Sequence, residues 1–247
     1  MATVESSLPK LGIILPNDPI DSEMHRLDRW LAERGRDDVT AATLLSTGIG
    51  GHFEADLYAT GDLEVIAPVG RELVEQGCGT VIWACTSASF IGGLDWAERQ
   101  AAGLADAIGV PSSSTTLAFV SALEALGVKR VHLLGAYPDP VTRAFAATLG
   151  EVGVEVDGYH ALGTPDGSVS FKLQLPEEVG KFAARLPDDA APILIPDTAI
   201  NSLDLVEGLE QASGRLVLTA NQVTLWHGLD LLGVPAHLPD CGDLCAA

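Results

Sequence analysis

The chain has 247 residues, 47% of them hydrophobic and only 19% charged, which is apolar material for one large core or two medium ones and excludes a disordered polymer. Its 34 acidic against 14 basic side chains give a formal charge of -20, so neither a nucleic acid nor a membrane is an expected partner, because both need clustered Lys and Arg. No apolar run reaches the ~20 residues of a bilayer span and the start, MATVESSLPK, lacks the layout of a secretory signal, so the expected compartment is the cytoplasm.

Taken in chain order, short runs rich in Val, Ile and Leu alternate with amphipathic stretches, the pattern of parallel sheets covered by helices on both faces. LGIIL (11–15) predicts a strand and MHRLDRWLAERG a helix; VTAATLL (39–45) and EVIAPVGRELVEQG repeat the alternation. TVIWA (80–84) leads through CTSASFIGG to the helical WAERQAAGLADAIG, then to a weak strand PSSS (111–114) and the helical FVSALEALG. RVHLLG (130–135), GVEVDGYH (153–160), PILIP (192–196) and RLVLTA (215–220) are the later strands, with helical VTRAFAATLGEVG, PEEVGKFAARL and LDLVEGLEQASG between them. Several of these helical patterns end in Gly, the residue suited to the left-handed position just past a helix.

The chain also resembles itself. VIWACTSASFIGGLDWAERQAAGLADAIGVP aligns with ILIPDTAINSLDLVEGLEQASGRLV: a strand, a thiol or acid followed by Thr, a polar turn, an amphipathic helix and another strand. TTLAFVSALEALGV matches NQVTLWHGLDLLGV, and LGIILPNDP matches RVHLLGAYPDP. The expected architecture is therefore α/β, with two pseudo-symmetric Rossmann-like, flavodoxin-like halves: residues 1–116 plus 221–247, and residues 117–220. In open α/β sheets ligands sit beyond the carboxyl ends of strands. The loops after LGIIL, VIWA, RVHLLG and ILIP should then face one cleft, with Cys85 and Asp197 at equivalent positions on its two walls.

Cys85 could be a buried small hydrophobe, the usual fate of a cysteine. The hydroxyl pair Thr86-Ser87 at a strand-to-helix turn favours a reactive thiol beside a carboxylate-binding helix start, and Gly92 and Gly93 offer room for close approach. Asp197-Thr198 occupies the matching turn, before a helix expected to begin near Asn201; alone it would read as a turn or capping aspartate. A thiol and a carboxylate across a cleft suit proton transfer to and from a carbon acid. Asn17 and Asp18 lie on the loop after the first strand, and Tyr137 on its counterpart in the second half, placed to donate to a substrate oxygen. Cys78 reads as packing, His52 and His160 as surface loop residues, and His227 as packing or capping. TGIGG (47–51) lacks the Lys of a phosphate loop and reads as a mobile segment near the cleft. Cys241 and Cys245 have metal-like spacing without a second ligand pair, so no metal is expected.

These residues resemble the aspartate/glutamate racemase superfamily, and within it the branch of arylmalonate decarboxylase and maleate cis-trans isomerase. The likeness runs over nearly the whole chain and is most specific in CTSASF and the Ala-Tyr loop. It implies a cofactor-independent enzyme acting on a small carboxylic or dicarboxylic acid, in which an enediolate is stabilised by groups matching Thr86, Ser87, Tyr137 and Thr198. Racemases and isomerases of the superfamily use a cysteine on each wall, and the decarboxylase keeps only the second. This chain keeps the first, Cys85, and has Asp197 at the second place, which excludes a two-thiol mechanism. Pro19 stands at or near the position of an asparagine that maleate isomerases carry. The leading expectation is decarboxylation of a malonate-type acid with Cys85 as proton donor. The alternatives are a racemase or maleate-type isomerase using Cys85 with Asp197, or a non-catalytic carboxylate-binding protein; the sequence leaves homo-oligomerisation open.

Overall fold

The apolar runs of this chain are hydrophobic at consecutive positions, so each strand must be covered on both faces, and the computed structural model, which describes residues 8–16, 22–48 and 51–246, meets that demand twice. The first sheet and its helices comprise β1 (Lys10–Leu15), α1 (Leu27–Glu33), β2 (Thr40–Leu45), α2 (Glu54–Thr60), α3 (Leu63–Glu75), β3 (Thr80–Trp83), α4 (Thr86–Phe90), α5 (Gly93–Ile108), β4 (Ser112–Ser114) and α6 (Thr115–Ala125). The chain continues with β5 (Arg130–Gly135), α7 (Asp139–Glu151), β6 (Glu155–Ala161), α8 (Gly167–Ser170), α9 (Leu175–Ala183), β7 (Ile193–Ile195), α10 (Val206–Ser213), β8 (Val217–Thr219) and α11 (Ala220–Leu232).

Both sheets are parallel and four-stranded, in the orders β2-β1-β3-β4 and β6-β5-β7-β8. The orders superimpose element for element, so β3 answers to β7 and the segments leaving them are topologically equivalent. In the first sheet Leu11 to Ile14 pair with Thr80 to Trp83, and in the second Ile193 to Ile195 pair with Val217 to Thr219. The eight expected strands are all present, with ends shifted by a residue or two. The α/β architecture with two Rossmann-like sheets is thus the observed one.

The sheets meet through α6 and α11, each entered directly from an edge strand. Ser114 caps α6 by accepting from the Leu117 N–H, and Thr219 with Gln222 forms a capping box at the start of α11. Thr115 and Thr224 link the two helices by a buried hydroxyl pair at 2.8 Å. Gly228 lets α11 lie close on the first sheet, because a Cβ there would meet Leu11 at 2.9 Å and Ile82 at 3.2 Å. One continuous apolar core results, running from Leu11 and Ile82 through Phe119 and Phe145 to Leu194 and Leu218. Among the described residues no helix is long and apolar enough to cross a membrane.

Two expectations need correction. Gly92 and Gly93 do not make room for a ligand: they break the chain between α4 and α5, with Gly93 at φ +78°, and a Cβ on Gly92 would strike the Trp96 side chain at 2.6 Å. The helix expected near Asn201 starts only at Val206, because the N–H groups of Ser202 and Leu203 are taken by the Glu23 carboxylate, at 2.8 and 3.1 Å.

Candidate active site

Beyond the carboxyl ends of the strands lies a cavity of about 530 Å³ with residues of both sheets in its walls. Pro16 follows β1, Cys85, Thr86 and Ser87 follow β3, and Asp197 and Thr198 follow β7. The remaining wall comes from the segment after β2, including His52, Phe53 and Asp56, and from Pro165 to Ser168 after β6. Asn17 and Asp18 continue the chain from Pro16 but lie outside the described residues, as does Pro19.

On the first wall Cys85 leaves β3 in an extended conformation, φ -141° and ψ 103°, and the chain turns at once into the five-residue α4. Its thiol is buried, with Sγ 3.9 Å from the Ser87 hydroxyl. Thr86 is buried too, and its hydroxyl has no hydrogen-bond partner among the described residues. Behind this turn sits Tyr137, wholly buried, its ring edge-on to His52 at 4.8 Å and to Phe90 at 5.7 Å. The Tyr137 hydroxyl is likewise without a hydrogen-bond partner among the described residues. Burial, reinforced by the electrostatic influence of Asp197 and Cys85, pushes the phenol well above its ordinary range, while the nearby Thr86 and Ser87 hydroxyls act the other way. Neither of those two contacts has hydrogen-bond geometry. Tyr137 is therefore held as a donor, since burial and the neighbouring Asp197 outweigh the two hydroxyls and disfavour a phenolate.

On the second wall the backbone is strained. Asp197 has φ +124°, a region that non-glycine residues avoid. Its Oδ1 accepts from the Ala199 N–H at 3.0 Å, whereas Oδ2 is buried without a hydrogen-bond partner among the described residues. The next residue crosses the cleft: the Thr198 hydroxyl donates to the Ala84 carbonyl at 2.9 Å, tying this turn to the residue before Cys85. That hydroxyl proton is committed to the protein. Further along, Asn221 donates to Ile200 O at 3.0 Å and to the Glu23 carboxylate at 2.6 Å.

His52, read from sequence as a surface residue, is buried in the cavity wall. Its backbone N–H donates to Pro165 O at 2.8 Å, and Gly51 forms an antiparallel bridge with Asp166, so the end of TGIGG is clasped to the second sheet's loop. The imidazole Nδ1 lies 2.9 Å from Thr164 O, and Nε2 lies 3.8 Å from Asp197 Oδ2. No local signal in GGHFEADLY announces this, because the clasp joins residues more than a hundred positions apart. The helix α2 has no counterpart among the expected elements; its Asp56, Leu57 and Thr60, spaced at i, i+1 and i+4, turn one face to the cavity.

Cys78 and His227 fall where the sequence put them, and His160 is on the surface but in β6 rather than a loop. Cys78 packs in the core, where burial pushes its thiol up; His160 is exposed, stacked on Phe182; His227 is buried and bonds Ser113 at 3.0 Å. Cys241 and Cys245 are buried thiols in mutual contact, and no group of three or more metal-ligating side chains occurs among the described residues. Among the described residues, Asp56, Asp166 and Asp197 are the formally charged side chains in the cavity wall apart from His52 when protonated, so a bound carboxylate relies there on hydroxyls and N–H groups.

Comparison with known proteins agrees with this fold. A curated arylmalonate decarboxylase of Bordetella bronchiseptica is 27% identical over 173 residues, covering 69% of this chain and 72% of that protein. A maleate isomerase of Geobacillus stearothermophilus is 24% identical over 180 residues, 70% of this chain and 71% of that protein. Among solved structures, a liganded double variant of arylmalonate decarboxylase, with a glycine changed to cysteine and a cysteine to serine, matches with TM-score 0.80 and 26% identity over 96% of this chain and 98% of that one. The maleate isomerase Iso of Pseudomonas putida shares the fold with TM-score 0.87 at 21% identity, over 98% and 99% of the two chains. The family model described as arylmalonate decarboxylase matches residues 30–245, and the chain belongs to that family.

Proposed function

We propose that the protein is a cofactor-independent decarboxylase of malonate-type acids, in which Cys85 protonates an enediolate. The observation that carries this reading is a convergence of unpaired buried groups. Among the described residues the Thr86 hydroxyl, the Tyr137 hydroxyl and Asp197 Oδ2 have no hydrogen-bond partner, and all three stand around Cys85. Leaving such groups unsatisfied costs roughly 1–3 kcal/mol each, a cost that persists where a ligand supplies the missing partner.

One carboxylate of the substrate accepts from Thr86, Ser87 and Tyr137. The bond to the second carboxyl breaks, carbon dioxide leaves, and the electron pair remains on the retained fragment as an enediolate whose charge those donors stabilise. The Cys85 S–H delivers a proton to the carbon, and the thiolate regains one from solvent. Thr198 supports this by holding the Ala84 carbonyl, so the backbone that carries Cys85 is fixed from the opposite wall. Asp197 is the second acid of the site, and Asn17 and Asp18 belong to the loop entered from Pro16. The substrate is a small carboxylic acid taken up in the cytoplasm.

Proton NMR in deuterium oxide with phenylmalonate, substituted alkylmalonates and maleate tests the reading. Loss of a carboxyl group with deuterium at the α carbon is expected, and the activity should vanish in Cys85→Ala. Turnover undiminished in that variant would sink the assignment, and conversion of maleate to fumarate without any decarboxylation would move the protein to the isomerase side of its relatives.

A further inference from the structure

A second cavity, of about 550 Å³, lies between the corner joining α2 to α3 and the helix α5, and among the described residues it shares no wall residue with the reaction cavity. Gln100 lines it and is only 4% exposed. Two backbone carbonyls, which can only accept, take the Gln100 amide nitrogen: Gly61 O at 2.7 Å and Ala88 O at 3.4 Å. They fix Nε2 on their own side and leave Oε1 on the other. That oxygen is buried and has no donor among the described residues. The amide cannot turn over to relieve it, because Oε1 would then face Gly61 O. A buried acceptor in this state is destabilising, and it persists where a ligand brings the missing donor. The close approach of the corner depends on glycine, since a Cβ on Gly61 would meet Gln100 Nε2 at 2.6 Å and Ala88 O at 2.7 Å.

Spacings of i, i+3 and i+4 put Trp96, Gln100, Gly103 and Asp106 along one side of α5. Trp96 is held by its Nε1, which donates to Ala88 O at 3.0 Å, and by Tyr58, edge-on at 5.2 Å. Leu63 lies across Gly103, where a Cβ would meet its Cδ1 at 2.5 Å. Leu63, Trp96 and Ala102 make the body of the cavity apolar, and its charged side chains among the described residues are Asp62, Arg99 and Asp106. Arg99 is engaged by Asp95 outside the cavity wall, so the wall is net acidic in a chain of charge -20. A cation is drawn to such a wall and a carboxylate is repelled. We infer that this cavity is a binding site for a small organic cation, a primary ammonium on an aromatic or apolar body, whose N–H donates to Gln100 Oε1 while Asp62 and Asp106 balance its charge. The body packs on Leu63 and the Trp96 indole, a ring that favours a cation beside it. Through Gln100 the site abuts Gly61 at the end of α2 and Ala88 in α4, the two helices whose other residues line the reaction cavity.

Titration calorimetry of the full chain with 2-phenylethylammonium tests the site, with nuclear Overhauser contacts to locate the ligand. Saturable binding is expected, with contacts between the ligand ring and the Trp96 indole. 2-Phenylethanol lacks the charge and the trimethylammonium analogue lacks the N–H donors, so each should bind about tenfold more weakly or worse. Ala102→Phe, at an exposed position of α5, fills the cavity and should lower affinity by more than about tenfold with the urea midpoint unchanged. Asp106→Asn, also at an exposed position, should weaken binding by about threefold. No binding at millimolar concentrations, equal affinity for the three ligands, or affinity unchanged in Ala102→Phe would overturn the site. Ligand contacts to His52 or Phe53 instead of Trp96 would overturn it too, by placing the cation in the reaction cavity, whose wall is also acidic. Should Ala102→Phe fail to fold, the ligand series and Asp106→Asn decide the question. Binding is read without a malonate present, so either result leaves the proposed function to its own test.

Discussion

The turns after β3 and β7 occupy the same place in two sheets of identical strand order, yet they are built in opposite ways. The first is relaxed: Cys85 is extended, and the chain enters a helix at the next residue. The second holds Asp197 in a left-handed conformation and runs through turns until Val206, kept in place by Thr198 on Ala84, Asn221 on Ile200 and Glu23 on Ser202 and Leu203. A strained residue of this kind costs about 1–3 kcal/mol and persists only where its surroundings over-determine it. The difference teaches that pseudo-symmetry of fold does not carry symmetry of chemistry: the relaxed wall presents a thiol, the strained one a carboxylate that needs tertiary support to point inward.

The largest effect should come from the relaxed wall. Cys85→Ala is expected to reduce decarboxylation by about 10²–10⁴-fold, the worth of a positioned proton donor, while the urea midpoint changes by less than about 1 kcal/mol equivalent. Steady-state rates and denaturation curves on one preparation check it. A large loss of stability would mean that Cys85 is packing rather than chemistry, and the contrast between the walls would collapse.

Much of that contrast could be read before any coordinates. The strands declare themselves because runs such as GIIL and VIW are apolar at every position, and a parallel strand buried on both faces has no other pattern. The repeat then aligns Cys85 with Asp197. What the sequence does not carry is anything set by contact between distant segments. His52 reads as surface because its burial depends on Pro165 and Thr164, and the late start of α10 depends on Glu23, nearly two hundred residues away. Thr198 matches a family position, but only the contact with Ala84 shows that its hydroxyl is spent on the protein.

The support of the strained wall should depend on pH. Desolvation raises the Glu23 carboxyl from 4.5 to about 7, against the lowering effect of its bonds to Ser202, Asn221 and Leu203. A carboxyl raised in the folded state binds its proton more tightly there than in the unfolded chain. Its contribution to stability is complete below about pH 4.5 and is lost as pH rises through 7, by about 3 kcal/mol in all. Urea unfolding at a series of pH values between 5 and 8 should show this decline, and Glu23→Gln should flatten it. An unchanged slope in that variant would place the pH dependence elsewhere.

The strain itself can be measured by comparing two variants that both lack the carboxylate. Glycine tolerates φ +124° and alanine does not, so Asp197→Gly should be more stable than Asp197→Ala by about 1–3 kcal/mol in urea denaturation. Equal stabilities would show that the second turn relaxes freely, and the two walls would then differ only in side chain.

The smallest effect joins the walls. Thr198→Val keeps the shape of the side chain and removes the donor to Ala84 O, leaving a buried carbonyl without that partner at a cost of about 1–2 kcal/mol. The backbone entering Cys85 loses its tether, and a small displacement of a proton donor is felt in rate, so kcat should fall about tenfold with KM nearly constant. Thr198→Ser retains the hydroxyl and should restore both stability and kcat. The opposite kinetic pattern, a raised KM with kcat preserved, would identify the hydroxyl as a direct substrate contact, as the family resemblance alone suggests. The split between kcat and KM in this one pair of variants therefore decides whether Thr198 serves the ligand or serves Cys85.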